Sequence, residues 1–275
     1  MIVLDDAHID VAASAAVTGG LYNTGQTCCS VEKLLVHADI AKPFMEAFIE
    51  KLKKVRQGPP SDFETDIGPV TYGLQKKTYL SQIQDHIQHH GKTFFGPVDY
   101  DGKSNFMKPL IVEAGEGGLF WNEETFGPVM AVKTFHTDEE AIQIANDGHF
   151  GLTALVWSGN NNRAQRLARN LRVGTVVIND APFTNAVAAL PWGGVRDSGF
   201  GWVHGELGLK ELSQAQVITY DISGQQKQFW WFPHGQTQYE FFKYYINFLE
   251  GQGFKHRLNS FVQMIKSLMK MGPRL

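Results

Sequence analysis

A chain of 275 residues with 43% hydrophobic and 19% charged residues is long enough to bury a substantial core and too apolar to stay disordered. Twenty-five Lys and Arg against twenty-eight Asp and Glu leave a formal net charge of −3, so no overall basic field exists to hold nucleic acid, and a nucleic-acid partner is not expected. The charge is uneven, because residues 222–275 carry seven Lys and Arg against Glu240 and Glu250 alone, a basic tail of +5 on a body of −8. Cys28 and Cys29 are the only cysteines, and as sequence neighbours they are poorly placed for an ordinary structural disulfide, which points to a reducing compartment. The opening Met-Ile-Val-Leu-Asp-Asp-Ala-His puts acids where a signal peptide carries basic residues, and no apolar run approaches the roughly 20 residues that span a bilayer. A cytoplasmic location is expected.

In chain order, residues 31–37 (VEKLLVH) predict a strand, and residues 40–56 a helix through Phe44, Phe48, Leu52 and Val55, stopped by Gly58-Pro59-Pro60. A second helix with Leu80, Ile83 and Ile87 ends at Gly91, followed by a turn-rich, strand-like stretch to residues 109–112. Residues 129–135 predict a strand. Thr137 and Glu140 then form the signature of a capping box, and Gly148 closes the helix they open. A strand at 152–157, a helix at 160–171 and a strand at 174–178 complete the pattern. This alternation predicts an α/β fold with a mostly parallel sheet flanked by helices over residues 1–221.

Residues 222–275 differ in composition and predict a helical C-terminal tail that is aromatic and basic. One helix is expected at 237–249. The last helix places Leu258, Phe261, Val262, Ile265, Leu268 and Met269 on one face, with Lys266 and Lys270 away from it. Such a face must dock on something. Two readings stay open: packing on the body or a partner subunit, or peripheral contact with a membrane surface, which the basic residues and Trp230-Trp231 favour.

Several motifs fail on inspection. Gly91-Lys92-Thr93 and Gly102-Lys103-Ser104 end like phosphate-binding loops, but the leading glycine is replaced by His86 and Pro97. Gly199-Phe200-Gly201 begins like a dinucleotide fingerprint, yet its third glycine falls one residue late and no strand precedes it. His86, His89 and His90 cluster without Cys or acidic partners at metal-ligand spacing, so no metal is expected. The segment from Leu21 to Ser30 (LYNTGQTCCS) is different. A nucleophilic cysteine needs an accessible, stabilised thiolate, and a glycine-containing turn that bares backbone N–H groups beside the sulfur supplies that. Taken alone, Cys28 and Cys29 favour a core role, since cysteine is among the most buried types.

Asn23-x-Gly25-Gln26-x-Cys28 resembles the cysteine signature of the NAD(P)-dependent aldehyde dehydrogenase superfamily, and the resemblance continues in order downstream. Glu123-Glu124-Thr125-Phe126-Gly127-Pro128-Val129 is similar to the family's EExFGPV segment. Asn146 with Phe150-Gly151-Leu152-Thr153-Ala154 resembles its AN…YGLxA stretch, Gly174 to Asn179 its GxVxxN strand, and Leu190 to Gly199 its LPFGGxKxSG loop. Departures from the pattern are Trp192, Arg196, Trp202 and Gln216, where Phe, Lys, Arg and Lys are common.

The resemblance implies oxidation of an aldehyde to a carboxylic acid with NAD or NADP. Cys28 would attack the aldehyde carbon, the thiohemiacetal would give up hydride to the nicotinamide, and water would release the acid from the thioester. By position, Glu124 would hold the nicotinamide ribose hydroxyls, Phe126 would pack near the nicotinamide, and Thr27, Cys29 and Trp192 would line the aldehyde tunnel. The backbone N–H of Cys28 is the implied oxyanion donor. Cys28 is preferred to Cys29 because the family spacing is Gly-Gln-x-Cys. Homo-oligomers are implied as well. In the family an N-terminal dinucleotide-binding domain precedes this region, so the chain corresponds to the C-terminal catalytic half, and weak autonomous cofactor binding is expected. The alternative from another class is a non-catalytic remnant or interaction module whose tail binds a partner or a membrane surface.

Overall fold

Successive side chains of a strand point to opposite faces, so a run such as Leu34-Leu35-Val36 can feed two cores at once. The computed structural model describes residues 1–115, 117–222, 224, 228, 231–232 and 234–271. They form two compact units, Met1–Gln214 and Ala215–Leu275.

In the first unit the chain runs β1 (Ile2–Val3), α1 (Ile9–Leu21), β2 (Lys33–His37), α2 (Ala38–Leu52), α3 (Gly73–Gln88), β3 (Thr93–Phe95), β4 (Leu110–Glu113), α4 (Leu119–Asn122) and β5 (Val129–Phe135). It continues through α5 (Asp138–Asn146), β6 (Phe150–Gly151), β7 (Thr153–Trp157), α6 (Asn161–Ala168), β8 (Thr175–Ile178), β9 (Val195–Arg196) and α7 (Gly205–Glu211). Seven strands make one sheet in the order β3-β4-β5-β2-β1-β7-β8. Every pairing in it is parallel except that of β3 with β4. This is the α/β sheet that the alternation of elements predicts.

Leu34, Val36, Met130 and Val132 point to the face covered by α1 and α2, where Phe44 and Phe48 are fully buried. Leu35, Val129 and Ala131 point the other way, onto Tyr79, Ile83, Phe120 and Trp121. Each such side chain removed from water contributes about 1.5–3 kcal/mol before entropy is counted, so the two cores, not the short strands, hold the sheet together.

Two elements escape the sequence pattern. β1 is two residues long and sits inside the sheet between β2 and β7, with Ile2 opposite both Leu35 and Val156. Helix α1 is rich in alanine and glycine, and Ala12, Ala13 and Ala16 are buried where bulky residues would not fit against α2. The helix expected at 40–56 is α2, which begins two residues earlier and ends at Leu52; it starts early because His37 ends β2 and caps α2 at once, its Nδ1 accepting the Asp39 N–H at 3.3 Å. Thr137 caps α5 as expected, its Oγ1 accepting the Glu140 N–H at 3.1 Å. The returning Glu140 carboxylate lands one residue early, on the His136 N–H at 2.7 Å.

The second unit contains α8 (Gln236–Glu250) and α9 (Phe254–Lys270), packed on each other across the Gly251–Gly253 link. The Phe248 and Phe261 rings lie 5.3 Å apart, and Arg257 Nε donates to the Phe248 carbonyl at 2.8 Å. Ser260 and Ser267 are the buried residues of α9, while Leu258, Phe261, Val262, Ile265, Leu268 and Met269 are exposed. The face predicted to dock therefore points outward, because small serines allow α9 to approach its neighbour closely. Trp231 is exposed; Trp230 lies outside the described residues.

Candidate active site

In a parallel sheet all strands begin on the same edge. Cys28 lies just before β2, Glu124 and Phe126 before β5, Phe150 and Gly151 before β7, and Gly174 before β8. The conserved direction of the strands thus gathers segments far apart in sequence onto one edge.

The cysteine segment leaves α1 through a tight turn with three successive left-handed residues, Asn23 (φ 50°), Thr24 (φ 59°) and Gly25 (φ 74°). Such a run is costly unless its surroundings hold it. Asn23 Nδ2 donates to the Gln26 carbonyl and Gln26 Nε2 to the Asn23 carbonyl, both at 3.0 Å, while Gln26 Oε1 accepts the Thr71 N–H at 2.8 Å. Thr24 Oγ1 donates to the Gly68 carbonyl at 3.2 Å. Gly25 is required twice: by its positive φ, and because a Cβ there would lie 2.0 Å from the Gly127 carbonyl oxygen. The cysteine turn and the Phe126-Gly127-Pro128 turn are therefore in backbone contact. Beyond the cysteines, Ser30 Oγ donates to the Gly19 and Gly20 carbonyls at 3.1 and 3.3 Å, tying the segment back to α1.

Cys28 is exposed and Cys29 is buried. Burial, with Cys28 beside it, pushes the Cys29 thiol above its ordinary value and keeps it protonated at neutral pH. The turn's backbone hydrogen bonds run from Gln26 N–H to Asn23 and from Ser30 N–H to Thr27, leaving the Cys28 N–H out of them.

The turn before β5 is held at four points. Glu32 Oε2 accepts the Thr125 N–H at 2.7 Å and Oε1 the Phe126 N–H at 2.9 Å. From α3, Gln75 donates to the Thr125 carbonyl and Gln82 to the Glu124 carbonyl, the latter at 3.4 Å. Phe126 takes a left-handed conformation, φ 51°. Burial pushes the Glu32 carboxyl up to about 7, opposed by the two N–H bonds, with the like charge of Glu124 adding to the rise. Desolvation by the neighbouring wall also raises the Glu124 carboxyl above the usual range. Lys33 is lowered by burial, against the pull of Asp147 and Glu32.

Cys28, Cys29, Glu32, Lys33, Glu123, Glu124 and Asp147 share the wall of a cavity of about 390 Å³, with apolar surface from Phe120, Trp121, Leu155 and Leu171. Of the residues singled out in the sequence, this brings Cys28, Cys29 and Glu124 together. Thr27, Phe126 and Trp192 lie outside its lining. Thr27 Oγ1 turns back to the Tyr22 carbonyl at 3.5 Å, and Trp192 exchanges two backbone hydrogen bonds of 2.8 Å with Val203.

Sequence reasoning missed Glu32, Gln75 and Gln82. Glu32 falls inside a run read as strand, and an acid followed by Lys33 at the head of an apolar strand was the available signal. The other matched blocks do structural work. Asn179 Oδ1 accepts the Ser158 N–H and its Nδ2 donates to the Ser158 carbonyl, both at 2.9 Å. Asn146 bridges the Asn170 carbonyl and the Arg172 N–H at 2.8 and 2.7 Å. Ser198 Oγ accepts the Gly151 N–H at 2.9 Å beside the antiparallel pairing of β6 with β9. In the histidine cluster, His86 Nε2 is 3.1 Å from Thr93 Oγ1 and His89 Nδ1 is 2.9 Å from the Asp85 carbonyl.

The α/β sheet thus presents one exposed cysteine beside carboxylates on its strand-entry edge. The aldehyde dehydrogenase family profile matches residues 1–218, and the chain belongs to that family. It is 36% identical over 253 residues to a 4,4'-diapolycopene aldehyde oxidase of Methylomonas sp, which covers 92% of this chain and 47% of that protein. A peroxisomal aminoaldehyde dehydrogenase of Pisum sativum is 35% identical over 224 residues, 80% of this chain and 44% of the relative. Among solved structures, a point mutant of betaine aldehyde dehydrogenase from Staphylococcus aureus, in complex with NAD+ and with a BME-modified cysteine, aligns with a TM-score of 0.76 at 32% identity. That match covers 84% of this chain and 48% of that one. An NAD-dependent aldehyde dehydrogenase from Sinorhizobium meliloti aligns with a TM-score of 0.73 at 32% identity, over 78% and 42% of the two chains. The chain spans about half the length of the curated relatives it matches.

Proposed function

We propose that this chain carries the nucleophile and the ribose-holding carboxylate of an NAD(P)-dependent aldehyde dehydrogenase, which oxidises an aldehyde to a carboxylic acid. The observation that carries the reading is the contrast between the two cysteines: Cys28 is exposed in a cavity shared with Glu124, whereas Cys29 is buried with a raised thiol pKa. A thiolate at Cys28 would add to the aldehyde carbon, forming the C–S bond while the carbonyl oxygen takes the negative charge. The Cys28 N–H, which makes no hydrogen bond within the turn, would donate to that oxygen. A bound nicotinamide would supply the hydride acceptor. Loss of hydride from the thiohemiacetal carbon would leave a thioester at Cys28, which water would cleave, returning the thiol and releasing the acid.

The residues present fit the cofactor in one respect the structure supports. Glu124 lies exposed on the cavity rim, and a carboxylate can accept a hydrogen bond from each of two vicinal ribose hydroxyls. The similar S. aureus protein is a complex with NAD+, which supports a nicotinamide cofactor. The test combines alkylation of the thiols, followed by mass spectrometry, with calorimetry against NAD and NADP. Selective labelling of Cys28 and micromolar binding, about −8 kcal/mol, support the reading for this chain. Labelling that favours Cys29, or none at Cys28, overturns it.

Two further features bear on partners. Val217, Ile218, Tyr220 and Ile222 are each at least 80% exposed on an extended segment, a surface suited to burial in a homo-oligomer. Helix α9 carries Lys255, Arg257, Lys266 and Lys270 and no acid beside its exposed apolar face, which supports peripheral contact with an anionic membrane surface. The 253-residue match to the diapolycopene aldehyde oxidase is too long to stop before residue 222, so that relative shares part of the tail. No helix among the described residues is long and apolar enough to cross a membrane.

A further inference from the structure

Glu32 stands four residues after Cys28, at the head of β2. Its side chain holds the Thr125 and Phe126 N–H groups, and its backbone carbonyl accepts the Ala131 N–H of β5 at 2.8 Å. One residue thus binds both the turn that bears Glu124 and the strand that follows it. Thr125 is 1% exposed, and a phenylalanine keeps the left-handed conformation of Phe126 only where its surroundings enforce it. Gln75 and Gln82 hold the carbonyl side of the same turn; Glu32 is the one acid among these three side chains.

We infer that Glu32 is a positioning residue, whose carboxylate locks the Glu124–Phe126 turn to the segment bearing Cys28 and so fixes the cofactor-holding carboxylate relative to the thiol. The consequence for cofactor binding rests on the reading of Glu124 given above. Two parallel N–H donors need two acceptor oxygens, which a carboxylate has and an amide of the same shape lacks.

The test compares Glu32→Gln and Glu32→Ala with the parent chain in three measurements: hydrogen exchange at the Thr125 and Phe126 amides, NAD affinity, and acylation of Cys28 by an activated ester. Glu32→Gln is expected to speed exchange at these two amides about tenfold and to weaken NAD binding by a similar factor, with acylation changed less than about twofold. A packing role alone predicts that isosteric Gln behaves as Glu in both exchange and affinity, and that result overturns the inference. Where Glu32→Ala fails to fold, the Gln variant still decides. If the parent chain binds no NAD, as its span of about half its relatives' length allows, the affinity comparison drops out and the reading of Glu124 is judged apart from the lock. Exchange at the two amides then still decides the lock: faster exchange in Glu32→Gln upholds it, and unchanged exchange overturns it.

Discussion

Cys28 and Cys29 are chemically identical in sequence and different in place. The exposed thiol is open to reagents, while burial shields the other and raises its pKa, so Cys28→Ala should abolish alkylation of the native protein and Cys29→Ala should leave most of it. Mass spectrometry after brief iodoacetamide treatment reads this directly. Glu32 makes a second prediction, on stability. Its carboxyl is raised from 4.5 to about 7 in the folded chain, so the folded state binds the proton more tightly than the unfolded one. The favourable contribution is complete below pH 4.5 and is lost as pH rises toward 7, a change of roughly 3 kcal/mol. Thermal unfolding followed from pH 5 to 8 should show the melting temperature falling by several degrees in the parent chain and much less in Glu32→Gln. Equal slopes in both would mean that Glu32 is not the group responsible.

At the scale of elements, the site depends on how α1 hands the chain to the cysteine turn. A Cβ on Gly25 would meet the Gly127 carbonyl, rigid backbone, and the residue sits at φ 74°. A Cβ on Gly20 would meet the thioether of Met130, the far end of a flexible side chain. Gly25→Ala should therefore cost upwards of about 2 kcal/mol and slow Cys28 alkylation, while Gly20→Ala costs less and leaves the alkylation rate near that of the parent. Denaturant melts of the two variants give the comparison. The helix caps were legible because their rule is local. Thr137 and Glu140 are three residues apart, and only the landing point of the Glu140 carboxylate, on His136, differed from the expected reciprocal bond. Helix α1 was not legible: its alanines carry no strong apolar period, and their burial makes sense only once α2 lies against them.

On the scale of the whole molecule, the two units present different surfaces. The first holds the cavity and the cysteine; the second exposes an apolar, basic helix. Deleting residues 236–275 is expected to leave Cys28 labelling unchanged and to remove cosedimentation with anionic vesicles, with neutral vesicles binding weakly in either case. Retention of vesicle binding by the shortened chain would count against the tail as the membrane-contacting element. Sedimentation analysis of the same pair tests the oligomer surface at Val217–Ile222, which the deletion leaves in place.

The sequence by itself determined the alternation of strands and helices, the parallel sheet and the family, and its resemblance to that family is what proposes Cys28 and Glu124. Those features are written in period, capping and local motif, which depend on residues near one another in the chain. Only the tertiary structure decided which thiol is open, which motif residues brace the fold and which line the cavity, and that α9 turns its apolar face outward by packing through serines. It also revealed Glu32, whose partners lie 93 and 94 residues away. Burial and long-range hydrogen bonds are properties of neighbours that the chain acquires only on folding, and one residue's identity does not encode them.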